Sequence, residues 1–427
     1  MNTMNLYQKQ VDFLNWEFGV FFHFGIRSFN PGRRDWDGVE MPAESFNPTQ
    51  LDCGQWVKIA KEAGATYAIL TCKHHDGFAL WPSKYSKYSV ADSSWRDGKG
   101  DVVREFTDAC RAAGLKVGLY YSPAQWGSHS IPFANSREYN DYFINQISEL
   151  LANYGKIDYL WFDGCGSEGH EYEHERIIAE IFRLQPDILT FCDPEWTPCV
   201  RWVGNEDGYA SLYNPLVVSS TDFSELATEE QKLSQAAFLP SECDCKIRAT
   251  WFYDLNENTL KSLDELFGMY EMSVGHGSNF LLNIGPDNRG LLPEADTKRV
   301  LELGEKIRQC YGNPLNYAAP VREGNLYTME HNELACEDFK TVPKKERLSN
   351  CLALKEDLTN GQKITSFRIY GYLPAYQKKK ILLFEGRTVG HKVYCRFGAI
   401  RCSKFEVEIT GSDGEFSLTD IKAYYVS

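Results

Sequence analysis

A chain of 427 residues, with 43% hydrophobic and 24% charged side chains, has the make-up of a globular protein large enough for two domains or for one with an appendage. A net charge of −14 argues against a nucleic-acid backbone or an anionic membrane as the main partner, and no apolar run approaches the roughly 18 residues that span a bilayer. The opening MNTMNLYQKQ carries neither the basic nor the apolar region of a signal peptide, which predicts a cytoplasmic chain as numbered, or a secreted or periplasmic one if a leading segment has been removed.

From residue 18 onward, apolar runs alternate with amphipathic stretches. The first run is Phe18 to Gly25 (FGVFFHFG), followed by a loop rich in charge and glycine and a helix near Gly54 to Glu62. Thr66 to Lys73 (TYAILTCK) comes next, with a helix over Asp101 to Ala113, and then Lys116 to Ser122 (KVGLYYS) with a helix over Arg137 to Tyr154. The fourth run, Asp158 to Gly164 (DYLWFDG), precedes a charged helix over Glu171 to Leu184, and Ile188 to Asp193 is the fifth. Val217 to Thr221, Ile247 to Tyr253 and Asn279 to Gly285 complete the series, with helices at Thr259 to Ser273 and Glu294 to Gln309. About eight β-then-α units in roughly 300 residues predict a (β/α)8-type barrel of the α/β class. An open doubly wound sheet is the alternative, but no glycine-rich phosphate loop follows the first run.

After Pro314 the helical periodicity fades. Short alternating stretches (Lys363 to Tyr370, Lys380 to Phe384, Lys392 to Phe397, Lys404 to Thr410, Asp420 to Val426) are separated by turn signals such as Gly411-Ser412-Asp413-Gly414. They predict a small antiparallel β-sandwich, dividing the chain into a catalytic barrel over 1–314 and an accessory domain over 315–427.

In a barrel of parallel strands the C-terminal strand ends share one face, and function collects there. The first run ends in His23, the second in Lys73-His74-His75-Asp76, the third in Tyr121 and the fourth in Asp163. Strand alternation puts Trp161 and Asp163 on one face. An acid beside an indole suits chemistry on a ring-shaped ligand such as a sugar, although an Asp before Gly also simply turns the chain. Ten Trp and 24 Tyr suit such a ligand without being specific to it.

Metal chemistry is a competing reading at two places. His74 and His75 are adjacent, so a regular strand would point them apart, and no third ligand is evident. His170 to His174 reads H-E-Y-E-H, the zinc-peptidase pattern, but it is crowded with glutamates at the start of a solvated helix and no third-ligand spacing follows. The thirteen cysteines form no CxxC pairs and read as small buried hydrophobes.

A glycoside hydrolase needs a second carboxyl beside Asp163. Glu168, Asp193, Glu195, Glu206 and Glu242 all follow the fourth run. Glu206 sits in R-W-V-G-N-E-D-G, where glycines free the backbone and Trp202 offers an apolar wall; Glu195 in D-P-E-W has a similar neighbour. Spacing does not choose between them.

FGVFFHFG, the loop with Asp35-Trp36-Asp37-Gly38, ILTCKHHDGFALWPSKYS, GKGDVVREFTDACRAAGLKVGLYYSP, YLWFDG, RWVGNE and SVGHGSNFLLNIGPDNRGLL together resemble the α-L-fucosidase family of retaining glycoside hydrolases, in detail the branch acting on α-1,3 and α-1,4 linkages. The resemblance runs from about residue 10 to residue 310 in order. It implies Asp163 as the nucleophile, Glu206 as the acid/base, and a fucose pocket lined by His23, Trp36, His74, His75, Tyr121, Trp161 and Trp251. It implies no metal and no organic cofactor, and a fucosylated oligosaccharide or glycoconjugate as partner. Where many members of that branch carry Trp-Asp-Arg after Ser-Pro, this chain has Ala124-Gln125-Trp126, so Trp126 and His129 are expected to shape a different acceptor-side wall. The competing functions are a non-catalytic carbohydrate-binding barrel, which would need neither acid, and a zinc metallopeptidase built on the His170-Glu171-x-x-His174 motif.

Overall fold

Apolar β-branched and aromatic runs, most of them followed by an amphipathic helix, leave a chain few options but to bury the runs as parallel strands beneath the helices. In a computed structural model of the protein, which describes residues 3–31, 37–126, 136–167, 169–192, 199–220, 232–332, 348–374 and 379–427, that is the arrangement. The strands of the first three hundred residues are β1 (Phe18–Phe22), β2 (Tyr67–Lys73), β3 (Lys116–Tyr121), β4 (Tyr159–Phe162), β5 (Leu189–Phe191), β6 (Arg201–Trp202), β7 (Val217–Ser220), β8 (Lys232–Phe238), β9 (Ser241–Lys246) and β10 (Asn279–Asn283). The helices are α1 (Thr3–Leu14), α2 (Cys53–Ala63), α3 (Val102–Ala113), α4 (Ser136–Asn153), α5 (His174–Leu184), α6 (Leu263–Ser273) and α7 (Glu294–Tyr311). Local signals set the helix ends. Asp52 and Asp101 accept the backbone N–H of Gln55 and Arg104 at 2.9 Å each, and Gly64 and Gly114 close α2 and α3 in the left-handed region.

Eight strands pair in the order β5-β4-β3-β2-β1-β10-β9-β6, all parallel. A parallel bridge between Phe191 and Val200 joins the two edges, and the Val200 N–H donates to the Thr190 carbonyl at 2.9 Å. The ring is thereby closed, as a (β/α)8-type barrel requires.

Two expected strands are corrected. Val217–Ser220 is not a stave of the barrel but pairs antiparallel with β8 as a side hairpin. Residues 247–253 form no strand; the stave lies earlier, at Ser241–Lys246, and the sixth is the two-residue β6. Ser241-Glu-Cys-Asp-Cys-Lys246 alternates like a solvated strand, but its acids point into the barrel while Cys243 and Cys245 are fully buried. The His170 motif is not a helical pair either: α5 begins only at His174, so His170 lies in the preceding loop and the two imidazoles share no helix face.

Inside the ring, aromatic side chains stack in layers. At the bottom Phe13 of α1 packs on Trp16, Tyr67 and Tyr159 at centroid distances of 5.2, 6.1 and 5.4 Å. Gly19 is needed there, because a Cβ would stand 2.3 Å from the Tyr67 ring that crosses above it. The next layer is a carboxyl. Glu242 is fully buried and accepts hydrogen bonds from Tyr67 Oη (2.6 Å), Trp161 Nε1 (2.9 Å) and Tyr159 Oη (3.1 Å). Burial pushes it up to about 7 despite the three donors, so the brace that ties β2, β4 and β9 together holds its proton in mildly acidic solution.

Beyond α7 the chain forms β11 (Val321–Glu323), β12 (Leu326–Glu330), β13 (Ser349–Glu356), β14 (Ile364–Tyr372), β15 (Lys380–Gly386), β16 (Val393–Ile400), β17 (Lys404–Ser412) and β18 (Leu418–Tyr424). Antiparallel sheets ordered β11-β12-β17-β14-β15 and β16-β13-β18 enclose a second apolar core around Leu352, Phe367, Ile369, Phe405 and Val407. The sandwich abuts the barrel through Tyr394, stacked at 4.2 Å on Tyr311, and through Glu17, whose carboxylate meets Lys392, His391 and Lys355. No helix among the described residues is long and apolar enough to cross a membrane.

Candidate active site

The C-terminal ends of the staves open on one mouth, and the strand registers decide which side chains reach it. Asp163 directly follows β4, one period above Trp161 and two above Tyr159, so it stands on the inward face. Its Oδ2 accepts the Tyr120 hydroxyl at 2.8 Å and lies 3.5 Å from His75 Nε2, while Oδ1 accepts the Cys165 N–H at 2.9 Å. A quarter of its side chain is exposed. The result is a carboxylate held by two donors with one edge open to the cavity.

Tyr121, expected in the pocket, is a correction. Side chains alternate along β3, and it is Tyr120 that points inward. Tyr121 points outward, donating to Gln146 Oε1 at 2.7 Å and packing on Phe143 of α4. Tyr120 stacks between His74 (5.5 Å, 10°) and Trp161 (5.4 Å, 23°). Trp161 does face inward, but both ring faces are covered, by Tyr120 and by Phe191 at 4.0 Å, and its N–H is taken by Glu242. It supports the pocket from below and has no N–H left for a ligand.

His74 and His75 do not point apart, because the ladder between β2 and β3 slips between Thr71 and Lys73 and the regular alternation ends there. Their rings meet at 4.3 Å, and a carboxylate oxygen of Asp163 lies within 4.8 Å of a nitrogen of each, a third group of ligating type that the sequence did not reveal. His75 is fixed from behind by Ser122 Oγ at 2.6 Å and covered by Trp126 at 4.3 Å. Trp126 in turn lies against Gly166, where a Cβ would stand 2.2 Å from the indole; this residue therefore leans on the Asp163 side of the mouth.

His23 ends the β1 run and bonds Asn283 Oδ1 through Nδ1 at 2.7 Å. The Asn283 amide also donates to the Trp251 carbonyl at 2.7 Å, so a single residue of β10 sets both His23 and the Trp251 loop. The Trp251 ring stacks on His23 at 4.8 Å. Burial pushes all three imidazoles down, His23 to about 3 and His74 well below the usual histidine range, so each is neutral at physiological pH. Neutral rings, a phenol and an indole face can bond hydroxyls and cover C–H surface without carrying charge.

Of the carboxyls proposed as partners for Asp163, Glu168, Asp193 and Glu195 lie outside the described residues, as do Trp36 and His129. Glu242 is sealed in the barrel floor. Glu206 remains, on the loop after β6, beside Gly204 and Gly208, which both adopt positive φ. The Asp207–Cys245 bridge anchors that loop to β9. The half-exposed Glu206 carboxylate receives Lys246 Nζ at 2.6 Å. The N–H of Trp202, the apolar wall expected beside it, goes to Asp244 Oδ1 at 2.7 Å, and Lys246 is the neighbour the sequence did not reveal. Lys246 lies 4.8 Å over Trp251, Trp251 stacks on His23, His23 meets His74 at 5.6 Å, and His75 reaches Asp163. Asp163 and Glu206 thus stand at the two ends of one chain of contacting side chains, each on a loop that follows a barrel strand.

The Alpha-L-fucosidase family model matches residues 2–310. Alpha-L-fucosidase 1 of Arabidopsis thaliana is 34% identical over 415 residues, spanning 90% of this chain and 80% of that protein. A putative alpha-L-fucosidase 1 of Oryza sativa is 32% identical over 425 residues, at 93% and 80% coverage. Among solved structures, a putative alpha-L-fucosidase from Bacteroides ovatus superposes with a TM-score of 0.85 at 33% identity, covering 98% of this chain and 74% of that one. A Ruminococcus gnavus fucosidase solved in complex with fucose shares the fold, with a TM-score of 0.80 at 24% identity and coverage of 98% and 94%.

Proposed function

The chain belongs to the alpha-L-fucosidase family of glycoside hydrolases, and from that premise we propose an exo-acting, retaining α-L-fucosidase that releases terminal α-1,3- or α-1,4-linked fucose through a covalent glycosyl-enzyme. The observation that carries this reading is Asp163, delivered by a barrel strand to the mouth with Tyr120 and Cys165 orienting it and one edge free. In the proposed mechanism Asp163 attacks C1 while Glu206 protonates the leaving oxygen; Glu206 then takes a proton from water, which displaces Asp163 and restores the original configuration.

His23, His74 and His75 bond the ring hydroxyls as neutral donors and acceptors, Trp251 covers an apolar face of the deoxy sugar, and Trp36 is assigned to the same pocket by family resemblance. Tyr120 takes the place first given to Tyr121. Lys246 holds Glu206 in position when it is ionised. The substrate is a fucosylated oligosaccharide or glycoconjugate, residues 1–314 are the catalytic unit and 315–427 the accessory one.

The test is hydrolysis of an aryl α-L-fucoside by Asp163→Ala and Glu206→Ala. Asp163→Ala should lose turnover and regain part of it with azide, which enters the space of the missing carboxylate. Glu206→Ala should retain far more activity on the aryl fucoside than on a Lewis-type trisaccharide, because a good leaving group needs little protonation. Wild-type behaviour of Glu206→Ala on the trisaccharide would overturn the acid/base assignment and move it to Glu195.

A further inference from the structure

Among the described residues, one group of metal-ligating side chains converges: a nitrogen of His74, a nitrogen of His75 and a carboxylate oxygen of Asp163 lie within 4.8 Å of one another. We propose that these three form a latent site for a small divalent cation of the zinc class, which occupies the pocket in competition with the sugar and inhibits hydrolysis. Only the competition rests on the fucosidase reading; the cation site rests on donor geometry.

The hydrogen bonds behind His75 decide what it shows to the cavity. Ser122 Oγ lies 2.7 Å from the Ala124 carbonyl, which can only accept, so the single hydroxyl proton is donated there. At 2.6 Å from His75 Nδ1 the same oxygen must therefore accept, and Nδ1 carries the imidazole proton. The neutral ring then turns a bare Nε2 toward Asp163 Oδ2. Two lone-pair atoms face each other at 3.5 Å, too far for a hydrogen bond and with no proton between them. Two ligands of one tetrahedral ion, with bonds of about 2.0–2.1 Å, stand roughly 3.4 Å apart. The pair already has that bite.

The remaining contacts favour the same occupant. Tyr120 and Cys165 each donate one hydrogen bond to Asp163, which orients the carboxylate and leaves an Oδ2 lone pair free. Ser122 on the far nitrogen of His75 is the kind of support that ligating imidazoles use. His74, stacked on Tyr120, is buried with a ring nitrogen that has no hydrogen-bond partner among the described residues. Two imidazoles and one carboxylate suit zinc and its neighbours over magnesium or calcium. An ion held there lies against the carboxylate proposed to attack the sugar.

The experiment titrates the tag-free chain with ZnCl2 by calorimetry, with Co2+ visible absorption as a probe of coordination geometry, for wild type, Ser122→Ala and the double variant His74→Asn/His75→Asn. One Zn2+ per chain is expected, weakened about ten- to hundredfold in Ser122→Ala and lost in the double variant. On wild type, L-fucose at ten times its own Kd should raise the apparent zinc Kd about elevenfold, and zinc should raise KM for an aryl fucoside without lowering kcat. Zinc binding that is unchanged in the double variant, or indifferent to fucose in a chain that hydrolyses the fucoside, overturns the proposal. If the double variant does not fold, the wild-type competition decides. One bound zinc in a chain that hydrolyses no fucoside supports the metal site and removes the fucosidase reading instead.

Discussion

Replacing Glu242 with glutamine should stabilise the barrel at pH 8. The carboxyl is fully buried among Tyr67, Tyr159 and Trp161, and burial raises it from an ordinary 4.5 to about 7. Between those values the folded chain holds a proton that the unfolded chain has released, so stability falls as pH rises from 4.5 through 7 and levels off above. The difference corresponds to about 3 kcal/mol, since each unit of pKa is worth roughly 1.4 kcal/mol. Glutamine removes that cost without losing the bonds. Its oxygen can keep the donors that now meet Oε1, Trp161 and Tyr159, and its amide can donate to the Tyr67 oxygen at the place of Oε2. The assay is urea unfolding at pH 5 and pH 8, followed by tryptophan fluorescence, read as the difference between variant and wild type. That difference should stay below about 1 kcal/mol at pH 5 and approach 3 kcal/mol in favour of Glu242→Gln at pH 8. A variant less stable than wild type by about 2 kcal/mol at pH 8 would mean that an ionised, triply bonded carboxylate outweighs its burial.

Three further outcomes are expected. At the seam between barrel and sandwich, burial pushes the Glu17 carboxyl up, but the hydrogen bond from His391 and the charge of Lys392 outweigh it and hold it at about 2. This stabilisation is complete above the ordinary 4.5 and lost as pH falls through 2; Glu17→Gln should therefore cost about 2 kcal/mol at pH 7, allowing for partial solvation, and much less at pH 2, by urea unfolding. Tyr120→Phe removes the phenol that holds Asp163 and should lower kcat/KM at least about tenfold. Its neighbour Tyr121→Phe should leave kinetics within about twofold and cost roughly 1 kcal/mol of stability through the lost bond to Gln146, which separates the inward from the outward tyrosine.

The contrast between those tyrosines marks where sequence reasoning stops. Apolar runs and capped helices announced most of the barrel, and the alternation from Tyr159 through Trp161 to Asp163 correctly aimed one acid into the mouth. A strand end read one residue off reverses every side chain: the third run ends in Tyr121, and nothing in KVGLYYS says which of its two rings faces the axis. The stave Ser241–Lys246 was missed for a related reason. Alternating acids and cysteines look like a solvated edge, whereas here the acids face a barrel interior furnished with phenol and indole donors. The joint use of His74 and His75 depended on a slip in the ladder that no local signal encodes. Lys246 was invisible as a partner of Glu206 because the two meet only through the bridge between Asp207 and Cys245, across two different staves.

Trapping the glycosyl-enzyme tests the central claim most directly. A fluorofucosyl fluoride, in which fluorine at C2 destabilises the cationic transition state while fluoride leaves readily, should inactivate the protein in a time-dependent way and add one fluorofucosyl unit to its mass. Proteolysis and peptide sequencing should then place the label on Asp163 in the segment Y-L-W-F-D-G. A label on Glu206, or no label together with initial release of the inverted anomer, would contradict the account.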